Sequence, residues 1–196
     1  MAKKTMKQAI FLSASVPDPR RNAIYYQTAD VTAIREAVIA LATFILPKTT
    51  LIWGGHPAIT PMIRAVAESI GINVQERIIL YQSLFFKANF PKDNKSFAKI
   101  RRIPQLETES ESLAIMRQKM FSEHSYAAAV FIGGMEGVEV EFNLFRQFHP
   151  HALALPLATT GAAAKILYDQ NRESLPESLS NEYSYFSLFR RLIQIG

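Results

Sequence analysis

Five short apolar runs, each followed by a segment of helical spacing, predict an α/β protein with a Rossmann-like, doubly wound parallel sheet and helices on both faces. Three observations carry this. The runs are bounded by turn residues, the stretches between them repeat apolar residues every three to four positions, and right-handed crossovers between parallel strands place helices on both sides. A length of 196 residues fits one domain at ~150 residues each, so the whole chain, 1–196, reads as a single unit.

The first run, Ala9-Ile10-Phe11-Leu12, reads as a buried strand that ends at Ser13-Ala14-Ser15. Val31 to Leu46 repeats Ile34, Val38, Leu41 and Ile45 at helical spacing, with Asp30 as N-cap and Pro47 as the stop. Thr49 to Trp53 is a second strand, closed by Gly54-Gly55. Pro57 to Ser69 follows as a helix and Val74 to Tyr81 as a third strand. Gln82 to Leu106 reads as one long basic loop, of the length that in a compact domain serves a function or hides a short helix. Glu109 to Ser122 is a helix with Leu113, Met116 and Met120 on one stripe. Ala127 to Ile132 is the fourth strand, Glu136 to Phe148 a helix, and Ala152 to Ala158 the fifth strand. Thr159-Thr160-Gly161 leads into a helix over Ala162 to Asp169, and Asn181 to Ile195 reads as a final helix rich in Tyr, Phe and Leu.

Composition removes several classes. Apolar residues make up 48% and charged residues 20%, as in an ordinary globular chain. The absence of cysteine excludes disulfide scaffolds, thiol catalysis and thiolate metal sites, and it fits a cytoplasmic protein. Ala37 to Leu46 is the longest apolar stretch, well short of the ~20 residues that span a bilayer. Met1-Ala2-Lys3-Lys4 is a poor start for a signal peptide. Of the net charge of +5, all is local: between Lys87 and Arg102 lie six cations and one anion, Asp93. Such a segment is an anion-attracting rim or a solvated loop, and without a recognised motif it does not point to nucleic acid. No G-x-G-x-x-G follows the first strand, and neither a P-loop nor a G-x-S-x-G elbow occurs. His56, His124, His149 and His151 form no metal-ligand pair on a helix, so neither a metal nor a cofactor is expected.

Ligands of open α/β sheets sit beyond the carboxyl ends of the strands. That rule selects four turns: Ser13 to Ser15, Gly54-Gly55-His56 with Thr60 behind it, Gly133-Gly134 to Glu141, and Thr159-Thr160-Gly161. Glycine lets backbone approach a ligand, and helix N-termini offer free N–H groups to phosphate. The expected nucleotide-binding set is therefore Ser13, Ser15, Gly54, Gly55, His56, Thr60, Gly133, Gly134, Gly137, Thr159, Thr160 and Gly161.

The densest cluster pairs Met116-Arg117-Gln118-Lys119, on a helix, with Gly133-Gly134-Met135-Glu136-Gly137-Val138-Glu139-Val140-Glu141 at the following strand-to-helix turn. Here the chain resembles the SMF/DprA–Lonely Guy (SLOG) superfamily. Its Lonely Guy-type phosphoribohydrolases carry an Arg-Lys pair before a P-G-G-x-G-T-x-x-E turn. Arg117 occupies the arginine position and Glu141 the glutamate position. Gln118 stands for the lysine, Ile132 for the proline and Val138 for the threonine, and one extra residue separates Gly134 from Gly137. The resemblance covers about residues 8–168. The phrases Phe11 to Ser15 and Gly54 to Pro61 are similar to the bacterial SLOG-cluster branch, associated with nucleotide sensing or breakdown in phage defence.

The resemblance implies a nucleotide-binding domain, a small-molecule nucleotide as partner, a homodimer, and Glu141 with Arg117 as the catalytic pair if the chain is a hydrolase. Chemistry agrees. Hydrolysis of an N-glycosidic bond develops positive charge on the ribose, which a carboxylate stabilises, and arginine holds phosphate bidentately. Two other readings stay open: a sensor without turnover, and an interaction protein that uses the basic loop.

Overall fold

A computed structural model of the chain describes residues 8–71 and 74–195; the basic N-terminus Met1 to Lys4 lies outside them. In chain order the regular elements are β1 (Ala9–Ser15), α1 (Ala23–Tyr26), α2 (Val31–Ile45), β2 (Leu51–Trp53), α3 (Thr60–Ser69), α4 (Val74–Arg77), β3 (Ile78–Ser83), β4 (Ile100–Ile103), α5 (Glu109–Ser122), β5 (Tyr126–Gly133), α6 (Glu136–Phe148), β6 (Leu153–Leu157), α7 (Ala162–Asn171), α8 (Ser178–Asn181) and α9 (Tyr185–Leu192). The strands form one six-stranded sheet in the order β4-β3-β2-β1-β5-β6, and every pairing is parallel. This is the doubly wound, Rossmann-like arrangement. The chain lays strands outward from β1 to β4, then returns to the other side of β1 for β5 and β6. The order therefore reverses between β1 and β5, where a crevice opens.

Alternation along each strand builds two cores. Ile10 and Leu12 face α2, α3 and α9 together with Ile34, Leu41, Ile63, Leu188 and Phe189. Phe11 faces the other way, toward α5 and α6, with Phe121, Phe131, Phe142 and Phe145. The Phe11 ring meets Phe121 edge-on at 4.9 Å and stacks on Phe145 at 6.1 Å, so one strand residue seats both helices of that layer. Truncating such a side chain costs about 3–5 kcal/mol. The helix starts follow their sequences. The Asp30 carboxylate accepts from the Ala33 N–H at 2.8 Å, and Thr108 and Glu111 form a reciprocal capping box at α5.

The structure corrects four sequence expectations. The basic segment Gln82 to Leu106 is not one loop: Gln82 and Ser83 end β3, two 3₁₀ turns follow, Leu84–Asn89 and Lys92–Ser96, and then comes a sixth strand, β4, paired to β3 with Tyr81 opposite Arg101. Arg101 and Arg102 are exposed because β4 is an outer strand, and charge on such a strand masks its pattern. The third strand begins at Ile78 rather than Val74, since residues 74–77 form a single helical turn. The tail is two helices, separated by Glu182 to Ser184. The first strand runs on through Ser15, which places Ser13 inside the sheet rather than after it. At the opposite outer strand, β6, Pro156 stands level with Phe131 of β5.

Candidate functional site

A cleft of about 650 Å³ lies over the carboxyl ends of β1, β2 and β3. Its floor is Ser13 to Ser15 and Gly54-Gly55-His56. The first turn of α6 and Glu141 close one end, α5 supplies Leu113, Met116 and Arg117, and the segment after β3 supplies Phe86 and Phe90.

The polar centre joins three elements. The Ser13 hydroxyl donates to Glu141 Oε2 at 2.6 Å, and Arg117 Nε donates to Glu141 Oε1 at 3.2 Å. Both charged side chains are close to 12% exposed, so the pair sits in the wall of the cleft with little water around it. Local rules explain each position. Alternation turns Ser13 toward the α5–α6 layer, on the same side as Phe11. Arg117 lies one position from Met116 and so at the margin of the α5 stripe. Glu141 lies one position before Phe142 on the flank of the buried stripe Val138, Phe142 and Phe145. Because Nε binds Glu141, the terminal nitrogens of Arg117 remain for a further partner. One of them stands 3.1 Å from where a Cβ on Gly137 would lie, so any larger residue there presses on the guanidinium.

Of the expected site residues, Ser13, Ser15, Gly54, Gly55, His56, Gly137, Arg117 and Glu141 line this one cleft. His56 Nδ1 accepts from the Ala58 N–H at 3.2 Å, and burial holds its imidazole below the ordinary histidine pKa. The other expected residues do not line the cleft, and their polar groups bond within the protein. Thr60 is buried and its hydroxyl donates to the His56 carbonyl at 2.9 Å. Thr160 Oγ1 donates to the Leu157 carbonyl and accepts from the Gly133 N–H at 2.8 Å, which ties the ends of β5 and β6 together. Thr159 bonds the Tyr185 hydroxyl at 3.0 Å. The Gly134 N–H donates to the Ser15 carbonyl at 2.9 Å, fixing β1 against β5, and a Cβ at Gly134 would run into Val138. Gly161 has φ +69° and ψ −159°, and the Thr28 carbonyl occupies the place of its absent side chain.

The lysines of the basic segment do not line the cleft; its charged lining is Arg21, Arg117, Glu109, Glu136 and Glu141. Arg21 meets Glu136 at 3.4 Å on the exposed rim. Sequence reasoning passed over Gln82, Phe86, Phe90 and Leu113, which line the cleft from the β3 side and α5. No cluster of three or more metal-ligating side chains occurs among the described residues, and no helix among them is long and apolar enough to cross a membrane.

The fold and the cleft define a class: an α/β protein of the Rossmann-like type whose site lies beside a topological switch point. The model of the SLOG cluster3 family matches residues 24–193, and the chain belongs to that family. The match reaches past residue 168 and takes in α8 and α9, so the C-terminal helices are part of the family unit. Membership accords with a nucleotide-related function. No curated protein matches the chain.

Proposed function

We propose that the cleft binds a nucleotide through its ribose and phosphate, and that Glu141 faces the ribose. The observation that carries this reading is the Ser13–Glu141–Arg117 contact: a carboxylate in a sheltered wall, bonded through both oxygens, beside a guanidinium with unused donors and the N-terminus of α6. Phosphate suits the Arg117 nitrogens and the first-turn N–H groups near Gly137. The sugar then lies against Glu141 and Ser13.

In this reading the reaction is hydrolysis of the N-glycosidic bond. The C1′–N bond breaks, the pair of electrons leaves with the base, and positive charge develops on the ribose ring. Glu141 stabilises that charge and takes a proton from the water that attacks C1′, while the departing nitrogen takes a proton from solvent. Ser13 holds the carboxylate in place.

A second reading has its own support. Both Glu141 oxygens already accept a hydrogen bond, which suits a fixed recognition group as well as a base. In that case the chain senses the nucleotide without turnover. One pair of experiments decides. Thermal shift with AMP and with adenosine tests the phosphate contact: a larger shift for AMP is expected, and equal shifts count against it. Chromatography for free base after incubation with adenine, guanine and NAD-derived nucleotides then separates turnover from sensing.

A further inference from the structure

The end of the cleft away from Glu141 holds an unusual side chain. Gln82, at the carboxyl end of β3, is 5% exposed and lines the cleft, yet its amide has no hydrogen-bond partner among the described residues. The amide nitrogen and oxygen are not sealed from solvent, so they open onto the cleft and are free to bond a group that arrives there. The amide lies against the turn after β2: a Cβ on Gly55 would sit 3.6 Å from Gln82 Nε2. The cleft it lines also has an apolar part, to which the segment after β3 contributes Phe86 and Phe90.

We infer that Gln82 reads the base of the bound nucleotide and that its partner is a purine with adjacent donor and acceptor atoms, adenine in particular. The inference rests on the ribose-phosphate reading of the cleft and extends it. Three features agree. A primary amide donates through nitrogen and accepts through oxygen, so it pairs with the N6 amine and a ring nitrogen of adenine in two bonds. The two phenylalanines of the cleft give the base's π-face an apolar surface to stack on. Spacing also fits. The order β3-β2-β1 puts Gln82 two strands from Ser13, which at ~4.8 Å per strand is about 10 Å across the sheet. A nucleoside bridges such a span, with ribose at one end and the base edge at the other. A pentose phosphate alone leaves the amide unpaired.

Titration calorimetry tests this with AMP, GMP, ribose 5-phosphate and purine riboside 5′-monophosphate, which is AMP without its 6-amino group. The wild-type protein should bind AMP roughly tenfold or more tightly than either the amine-less analogue or ribose 5-phosphate. Gln82→Glu keeps an acceptor and loses the donor. It should weaken AMP by about tenfold and shift preference toward GMP, whose N1–H and N2–H both donate to a carboxylate. Gln82→Leu should weaken AMP similarly, and both substitutions should change ribose 5-phosphate binding far less. Equal wild-type binding of AMP and its amine-less analogue overturns the inference, and that comparison needs no variant to fold. So does unaltered AMP binding by a folded Gln82→Leu. Either result leaves the ribose-phosphate reading in place. If ribose 5-phosphate and every nucleotide fail to bind the wild-type protein, that underlying reading fails and the role of Gln82 falls with it.

Discussion

Ser13 and Glu141 stand 128 positions apart in the chain, and a 2.6 Å hydrogen bond joins them in the wall of the cleft. The contact links the central strand to the helix after the switch point. Close by, the Gly134 N–H at the turn between β5 and α6 donates to the Ser15 carbonyl of β1.

If the protein cleaves a glycosidic bond, Glu141→Gln removes charge where charge develops. Turnover should fall by roughly two to four orders of magnitude, with nucleotide affinity much less affected. Glu136→Gln and Glu139→Gln are the controls, since both acids lie in the first turn of α6 and neither bonds Ser13 or Arg117. Release of free base by the three variants is the measurement. Three similar, small losses would show that Glu141 acts only through the helix dipole.

Gly161 and Gly71 share a φ of +69°, but their surroundings differ. At Gly161 the Thr28 backbone fills the side-chain position, whereas no described atom lies within 4 Å of a Cβ at Gly71. Gly71→Ala should therefore cost about 1–2 kcal/mol, the left-handed penalty alone. Gly161→Ala should cost more than about 4 kcal/mol or prevent folding, because backbone must move. Urea unfolding of the two variants gives the comparison, and equal losses would mean that the 28–30 segment yields easily.

Lys92, Lys95 and Lys99 belong to the segment whose Phe86 and Phe90 wall the cleft, yet none of the three lines it. Their charges act at a distance. Replacing all three with glutamine should slow association of a fluorescent AMP analogue several-fold at low salt, flatten the salt dependence and leave dissociation unchanged. Stopped-flow rates check this; an unaltered association rate would make the segment a solvated loop with no part in capture.

His56 contributes a pH dependence whose sign follows from its burial. Its pKa is lowered in the folded protein, so the unfolded chain takes up a proton first as pH falls through ~6.5. Stability is thus fully present above that value and declines below it. His124, also lowered mainly by burial, acts in the same direction. His56→Asn, which can still accept from the Ala58 N–H, should lose part of the wild-type drop in urea midpoint between pH 7.5 and 5.5. An identical drop in the variant would remove His56 from the account.

The sheet was legible because buried parallel strands read as apolar runs, and α5 and α6 because Met116, Met120, Val138 and Phe142 repeat at helical spacing. The pairing of Arg117 with Glu141 was legible through the resemblance and through the glycine turn between them. Other expected residues have a structural role that the sequence did not show. Thr159, Thr160 and Gly161 are the residue types a phosphate turn needs, and here the Thr160 hydroxyl joins β6 to β5, the Thr159 hydroxyl bonds Tyr185 of α9, and the bare backbone of Gly161 packs on the 28–30 segment. Gln82 carried no signal, since it stood as the first residue of the long basic loop, and its place on β3 facing the cleft is seen only in the structure. The Ile100–Ile103 strand was hidden by its own arginines.

Those arginines have a counterpart on the far side of the molecule. β4 ends the sheet with two exposed cations, and β6 ends it with Pro156, which has no N–H to offer a neighbouring strand. Each border thus resists continuation: one repels an incoming copy of itself, the other lacks a donor for the ladder. Two copies of this chain that associate should do so through helical surfaces rather than by merging their sheets, and the same borders should keep newly made, crowded chains from zipping into fibrils.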